Sequence, residues 1–525
     1  MRARFVVVAA LSGILSIGSL SAAVAQEEGP TVVDPNLNVE TAVDGLELPT
    51  SIAFLGDNDL FVLEKNSGKV KRVIDGEVTA TVLDLAVNNS SERGLLGIAL
   101  HPDFPTNPGV YLYWTCKAAA PPANEFFPDE QTCSDNNMFG ADTDNILQVP
   151  LLANRIDRFV WDGSSLHFDK RLITLRQFQN DGAPVPPNQG DDASGPHGAQ
   201  PPRGNHDSGV ITFGPDGKLY AIVGDAGRRG ALQNLPCGPT ATSCDGPEDV
   251  TPDDQFGGPQ PDDAHFSGVI LRLNDDGSTP TDNPFFSVGA AMGGEAGRNI
   301  QKVFAYGIRN TFGMAFDPIS GALWEEENGE DAFDEINLVE RGMNSGWIQI
   351  AGPSSRVSQY REIETTSTHE EAFPNLQQFR WGPERIATTP AEAKSRLFVL
   401  PGSRYSEPEF SWKWVVTLAA IGFIDGRGLG PQYDGDLLAG LAEDEPEEGV
   451  LFRFNLTGNR RAIGVDDPRL ADRVADNLEP HDLTESETLV FGTGFGIVTD
   501  IETAPDGSVY VVSLEDGEIF RISHR

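Results

Sequence analysis

The residues in this chain best suited to do chemistry lie in the loop Gly204-Asn205-His206-Asp207-Ser208-Gly209, where an imidazole stands among an amide, a carboxylate and a hydroxyl. A neutral imidazole accepts a proton near neutral pH when a hydroxyl is held within hydrogen-bond reach, so His206 is a candidate general base. On the residues alone a lone loop histidine is more often structural or merely exposed, and both readings stay open. Immediately downstream, Val210 to Phe213 and Leu219 to Val223 alternate as two half-buried strands, and Gly214-Pro215-Asp216-Gly217 supplies the turn between them. His206 is therefore expected in a loop feeding a hairpin, where β scaffolds commonly place functional groups.

That hairpin is one copy of a returning unit. Pro49 to Glu64 leads through a Gly-Lys turn to Val70-Lys-Arg-Val73. Gly94 to Phe104 precedes Val110-Tyr-Leu-Tyr113, Gly313 to Pro318 precedes Ala322-Leu-Trp324, and Ile501 to Gly507 precedes Val509 to Val512. A weaker copy joins Ala419 to Phe423 with Asp436-Leu-Leu438 and Val450 to Phe454, which brings the count to six. A third strand follows in several units, as in Ile156-Asp-Arg-Phe159, Ile270-Leu-Arg-Leu273 and Ile519-Phe-Arg-Ile522. A small sheet of this kind cannot bury both faces alone, and radial stacking solves the problem. The pattern predicts an all-β, six-bladed β-propeller over residues 40–525 with long inter-blade insertions. The segments 116–150, 174–205 and 226–265 are dense in turn residues, and 352–400 forms another insertion with helical potential near Pro390 to Arg396.

With 38 basic against 79 acidic residues the formal net charge is −41, which repels nucleic acid and anionic membrane surfaces. Met1-Arg2-Ala3-Arg4, an apolar stretch from Phe5 to about Leu20, and Ala23-Val24-Ala25 read as a signal peptide spanning residues 1–25. No other segment approaches the roughly 20 apolar residues of a membrane span. A periplasmic or secreted protein is expected, and in that oxidising setting the four cysteines suggest two local staples, Cys116 with Cys133 and Cys237 with Cys244. Neither pair has a CxxC spacing, so a metal site built from them is not expected.

Four segments together carry a family resemblance: Arg93 to Phe104, Asn205-His-Asp-Ser-Gly209, Gly307 to Phe316, and Asp334-Glu-Ile-Asn-Leu338 with Asn344-Ser-Gly-Trp347. In this order the chain, from about Val43 to Ile522, resembles the pyrroloquinoline quinone (PQQ)-dependent soluble glucose/sorbosone and aldose sugar dehydrogenases. That family is built as a six-bladed propeller. The resemblance implies that His206 removes the hydroxyl proton of a sugar or related alcohol while hydride passes to the quinone. It implies that Arg309 and Asn310 approach the cofactor, a task that suits a permanently charged guanidinium. It also implies calcium held largely by backbone carbonyls at Gly329 and Glu330, oxygen ligands that calcium accepts readily. Glu330 stands where the family usually has proline and offers an extra carboxylate. The rest of the run Glu325-Glu-Glu-Asn-Gly-Glu-Asp331 reads as a solvated turn.

The chain departs from the family where cations should meet the cofactor's carboxylates. Glu443-Asp-Glu-Pro-Glu-Glu-Gly449 is acidic where a lysine is expected, Gly494 to Asp500 contains no arginine, and Phe312 replaces a glutamine. A second reading therefore keeps propeller and metal without the quinone, as a calcium-dependent lactonase-type hydrolase or a non-catalytic carbohydrate-binding propeller. In that reading Glu92, Asn205, Asn310 and Glu447 ring a central channel and ligate the ion, and Glu92 and Asn205 are candidate substrate contacts in either case. The electron acceptor is not readable from the residues.

Overall fold

Alternating apolar residues and Pro-Asp-Gly turns produce short antiparallel strands, and these assemble into six sheets. The computed structural model describes residues 29–89, 92–116, 153–176, 206–225, 266–366, 386–442 and 449–525. Sheet 1 comprises Pro49–Gly56, Asp59–Glu64, Lys69–Ile74 and Glu77–Asp84. Sheet 2 comprises Leu95–Leu100, Gly109–Thr115, Ala153–Trp161 and Leu166–Arg176. Sheet 3 runs through Ile211–Phe213, Leu219–Val223, Val269–Leu273 and Val303–Tyr306, and sheet 4 through Met314–Phe316, Leu323–Glu327, Ala332–Val339 and Phe410–Trp414. Sheet 5 runs through Leu418–Phe423, Leu437–Leu441, Leu451–Thr457 and Val490–Thr493. In sheet 6, Val498–Thr503, Val509–Ser513 and Glu518–His524 are completed by Leu37–Val43 from the other end of the chain.

The first strands of successive sheets touch in a closed ring, from sheet 1 round to sheet 6 and back. This is a β-propeller arrangement. Each pair of neighbouring sheets shares its own apolar cluster, for example Leu63, Val70, Leu95 and Leu112 between sheets 1 and 2, and Trp324, Phe410, Leu418 and Phe452 between sheets 4 and 5. Full burial of each such side chain stabilises the fold by about 1.5–3 kcal/mol. Pairing of Leu37–Val43 with Glu518–His524 closes the ring and removes what would be a free sheet edge.

Several features differ from the sequence expectation. Among the described residues, strand pairing starts with Thr31–Val32 against Val490–Thr493, ahead of residue 40. Insertion 352–400 carries Val357–Thr366 as well as the helix Pro390–Arg396, whose start is capped by Thr389 accepting from the Glu392 N–H. Two further helices, Phe286–Met292 and Gly294–Lys302, precede the last core strand of sheet 3. The acid run does not form a solvated turn: Leu323–Glu327 is a strand buried along its whole length. The proposed signal peptide, Asn205, Glu447, Cys133, Cys237 and Cys244 lie outside the described residues. Among the described residues, no helix is long and apolar enough to cross a membrane.

Candidate functional site

All six first strands run in one sense along the channel, so two sets of loops meet at one end: those entering the first strands and those leaving the second. Glu92, His206, Arg309 and Asn310 enter with the first set, whereas Lys65, Asp225, Gly329 and Glu330 leave with the second. The channel encloses about 1030 Å³. At this end its wall includes Lys65, Glu92, Ser208, Phe312 and Glu515.

His206 is buried at 4% exposure, with a left-handed φ of 57°, and Ser208 has a φ of 55°. Non-glycine residues rarely adopt this conformation, and each costs of order 1–3 kcal/mol unless the surroundings impose it. The surroundings here do so. Gly224 packs against the loop so closely that a Cβ would lie 2.3 Å from the His206 carbonyl oxygen and 2.8 Å from Asn310 Oδ1. The next residue, Asp225, is fully buried, and its Oδ1 lies 2.5 Å from His206 Nδ1. A carboxylate can only accept, so Nδ1 carries the proton and Nε2 is left as the basic nitrogen.

Trp347 Nε1 donates to the other Asp225 oxygen at 2.9 Å, and the Arg309 guanidinium lies 5.6 Å from the Trp347 ring centroid. Burial alone would raise the Asp225 carboxyl, yet His206, through charge and hydrogen bond, and then Arg309 hold it below the usual carboxylate range. Arg309 Nη1 donates to the Asn328 carbonyl at 3.0 Å, and its own carbonyl accepts from the Asp225 N–H at 2.8 Å. Sequence reasoning named His206 and Arg309 but missed Asp225 and Trp347. Asp225 reaches His206 where the second strand of sheet 3 returns beside the first, and Trp347 reaches Asp225 from the segment after Met343–Asn344, although Gly224-Asp225 at a strand end was a local hint.

Glu92 joins three loops. Its Oε2 accepts from the Asp207 N–H at 3.2 Å and from Asn310 Nδ2 at 3.3 Å, and its charge faces Lys65. Asn310 Oδ1 also accepts from Ser208 Oγ at 3.1 Å. Asp207 is tied to sheet 2 by Asn154 Nδ2 at 2.8 Å and by Tyr113, whose hydroxyl donates to the Asp207 carbonyl at 2.9 Å. Of the sequence candidates, His206, Arg309, Asn310 and Glu92 are thus brought together.

Below Arg309 lies a buried carboxylate array. Glu325 pairs in register with Asn337, and Glu327 with Glu335. Asn337 Nδ2 donates to both Glu325 Oε1 and Glu335 Oε2 at 3.0 Å, and Thr311 Oγ1 and Glu325 Oε2 are hydrogen-bonded at 2.5 Å. Glu327 accepts from the Arg309 N–H at 2.6 Å and from Ser345 Oγ at 3.0 Å. Burial pushes Glu325 up to about 7 and Glu335 to about 8, and Glu326 and Glu327 well above the ordinary range. Burial thus favours the protonated form of these carboxyls, with Glu325 titrating across neutral pH. Gly329 must be glycine because a Cβ would lie 2.1 Å from the Ala332 carbonyl oxygen, and its N–H donates to Asp334 Oδ1 at 2.7 Å. Glu330 is half-buried. No three His, Cys, Asp or Glu side chains converge to hold a metal among the described residues.

Residues 46–147 and 248–388 match the family described as Glucose / Sorbosone dehydrogenase. The chain is 28% identical over 326 residues to quinoprotein glucose dehydrogenase B of Acinetobacter calcoaceticus, covering 60% of this chain and 53%, about half, of that protein. It is 23% identical over 492 residues to the aldose sugar dehydrogenase YliI of Escherichia coli (strain K12), covering 93% of each. The soluble aldose sugar dehydrogenase of Escherichia coli in its apo-form superposes with a TM-score of 0.54 at 21% identity, covering 93% of this chain and 100% of that one. At that identity the structural likeness speaks to the fold alone.

Proposed function

We propose, from its similarity to the glucose/sorbosone dehydrogenases, that the chain is a quinoprotein-like oxidoreductase acting on the CH–OH group of a sugar or related alcohol. The reading rests on one observation above all: His206 is locked at Nδ1 by buried Asp225 at 2.5 Å, with Trp347 and Arg309 completing the same assembly. The six sheets are read as six blades whose loops meet at this site. When bound, PQQ supplies the oxidant that accepts the hydride. His206 Nε2 takes the hydroxyl proton, Asp225 stabilises the imidazolium that results, and Arg309 provides a fixed positive charge for developing negative charge.

The residues present suit the quinone's redox end, and the channel has room for a ligand of that size. For its carboxylates the described channel wall offers one cation, Lys65. Calcium would rest on the backbone carbonyls of Gly329 and Glu330. An exported location is supported by the 1–25 segment and by Cys116, which is disulfide-bonded. The second reading, a lactonase-type hydrolase or a carbohydrate binder, draws on Glu92, Asp425, Asp500, Glu502 and Glu515 in that same wall, an acidic lining that disfavours a polyanion.

Reconstitution with calcium and PQQ, followed by dye reduction with a panel of aldoses, tests the proposal. Activity in the parent that is abolished in His206→Ala is the expected result. No bound quinone at micromolar cofactor would overturn the quinone reading, and intact activity in His206→Ala would overturn the base.

A further inference from the structure

Lys65 directly follows the second strand of sheet 1 at the site end, as Gly224, the neighbour of Asp225, follows the second strand of sheet 3. Its backbone is fixed on both sides, since its N–H donates to the Leu48 carbonyl at 3.0 Å and its carbonyl accepts from the Leu95 N–H at 3.0 Å. Gly94 gives the side chain its space. A Cβ there would lie 2.4 Å from the Lys65 carbonyl oxygen and 2.8 Å from its Cγ. Among the described residues lining the channel, Lys65 is the one cation. Of the five lining carboxylates, Asp500 and Glu502 lie within the first strand of sheet 6 and Asp425 lies just past the far end of the first strand of sheet 5. Glu92 and Glu515 therefore share the mouth with Lys65.

We propose that Lys65 anchors a carboxylate of the ligand that occupies the channel mouth, an inference that takes only its first probe from the oxidoreductase reading above. An ammonium is a compact charge with three rotatable donors, able to form short charge-assisted bonds to a carboxylate without a rigid geometry. Burial brings its pKa down to about 8, with Glu92 and Asp207 pulling it up and Arg93 adding to the fall, and its Nζ also donates to Asn66 Oδ1 at 3.3 Å. A desolvated lysine on a cavity wall near a candidate base fits a ligand-binding role better than a surface one. The one cation on the described channel wall matches one carboxylate, either from the quinone or from a sugar acid.

The test uses the whole chain and reads binding rather than turnover. PQQ with calcium, and separately glucuronate, are titrated into the parent, Lys65→Met and Lys65→Arg by fluorescence quenching or calorimetry, with thermal melts showing that each variant is folded. Loss of one charge-assisted bond predicts about tenfold to hundredfold weaker binding in Lys65→Met. Lys65→Arg should recover part of the affinity. Parent affinity should also fall between pH 7 and pH 9, and that of Lys65→Arg should not. If PQQ fails to bind the parent but glucuronate binds and depends on Lys65, the anchor stands with a sugar acid as its ligand and only the quinone reading falls. Equal binding by parent and Lys65→Met, or binding of neither carboxylate to the parent, overturns the proposal.

Discussion

Glu325→Gln should make the protein more stable at pH 8 while leaving it nearly unchanged at pH 4.5. Glu325 is fully buried, and burial raises its carboxyl from an ordinary value of 4.5 to about 7. Its contribution to stability is fully present below pH 4.5. As the pH rises from 4.5 through 7, the unfolded chain releases this proton while the folded chain keeps it, so stability is lost across that window. At about 1.4 kcal/mol per pH unit the loss reaches about 3.5 kcal/mol once the pH is above 7. Glutamine reproduces the protonated acid: its oxygen accepts from Asn337 and its amide donates to Thr311 Oγ1, whose own proton goes to the Glu326 carbonyl. Urea unfolding of parent and variant at pH 4.5, 6, 7 and 8 reads the effect as diverging midpoints at unchanged slope. Equal pH dependence in the two proteins would falsify the burial argument, and a variant less stable at every pH would show that glutamine cannot replace the acid's hydrogen bonds.

Asp225→Asn retains an acceptor for Trp347 but removes the charge that holds His206, so kcat in the reconstituted enzyme should fall by about 10² to 10⁴ with little change in KM; a fall of less than fivefold would refute the positioning role. Gly224→Ala forces a Cβ to within 2.3 Å of the His206 carbonyl oxygen, and melting should show destabilisation of at least about 1 kcal/mol together with impaired function. Deleting residues 1–43 removes the strand that pairs with Glu518–His524 and should expose the sheet 6 edge, read as aggregation or a lowered melting temperature; an unchanged melt would contradict the closure argument.

Much of the fold was legible because the strands alternate apolar and polar residues over strong turn signals, and sheet identity follows from that local pattern. The Gly214 to Gly217 turn and the helix at Pro390 are local chemistry and came out as expected. His206, Arg309, Asn310 and Glu92 stood out through residue type and family resemblance. Other features depended on burial, which is set by the stacking of sheets distant in sequence. Glu325 to Glu327 carry the composition of a solvated turn, yet sheet packing encloses them and raises their carboxyls above the ordinary range. Asp225 and Trp347 meet across 122 positions, and Lys65 becomes a channel residue only because sheet 1 closes against sheet 6. Sequence by itself thus determined which segments form strands and which residue types can do acid–base work. Tertiary structure alone decided which of them share a desolvated site, because desolvation and charge pairing depend on neighbours that the chain brings together only when the ring closes.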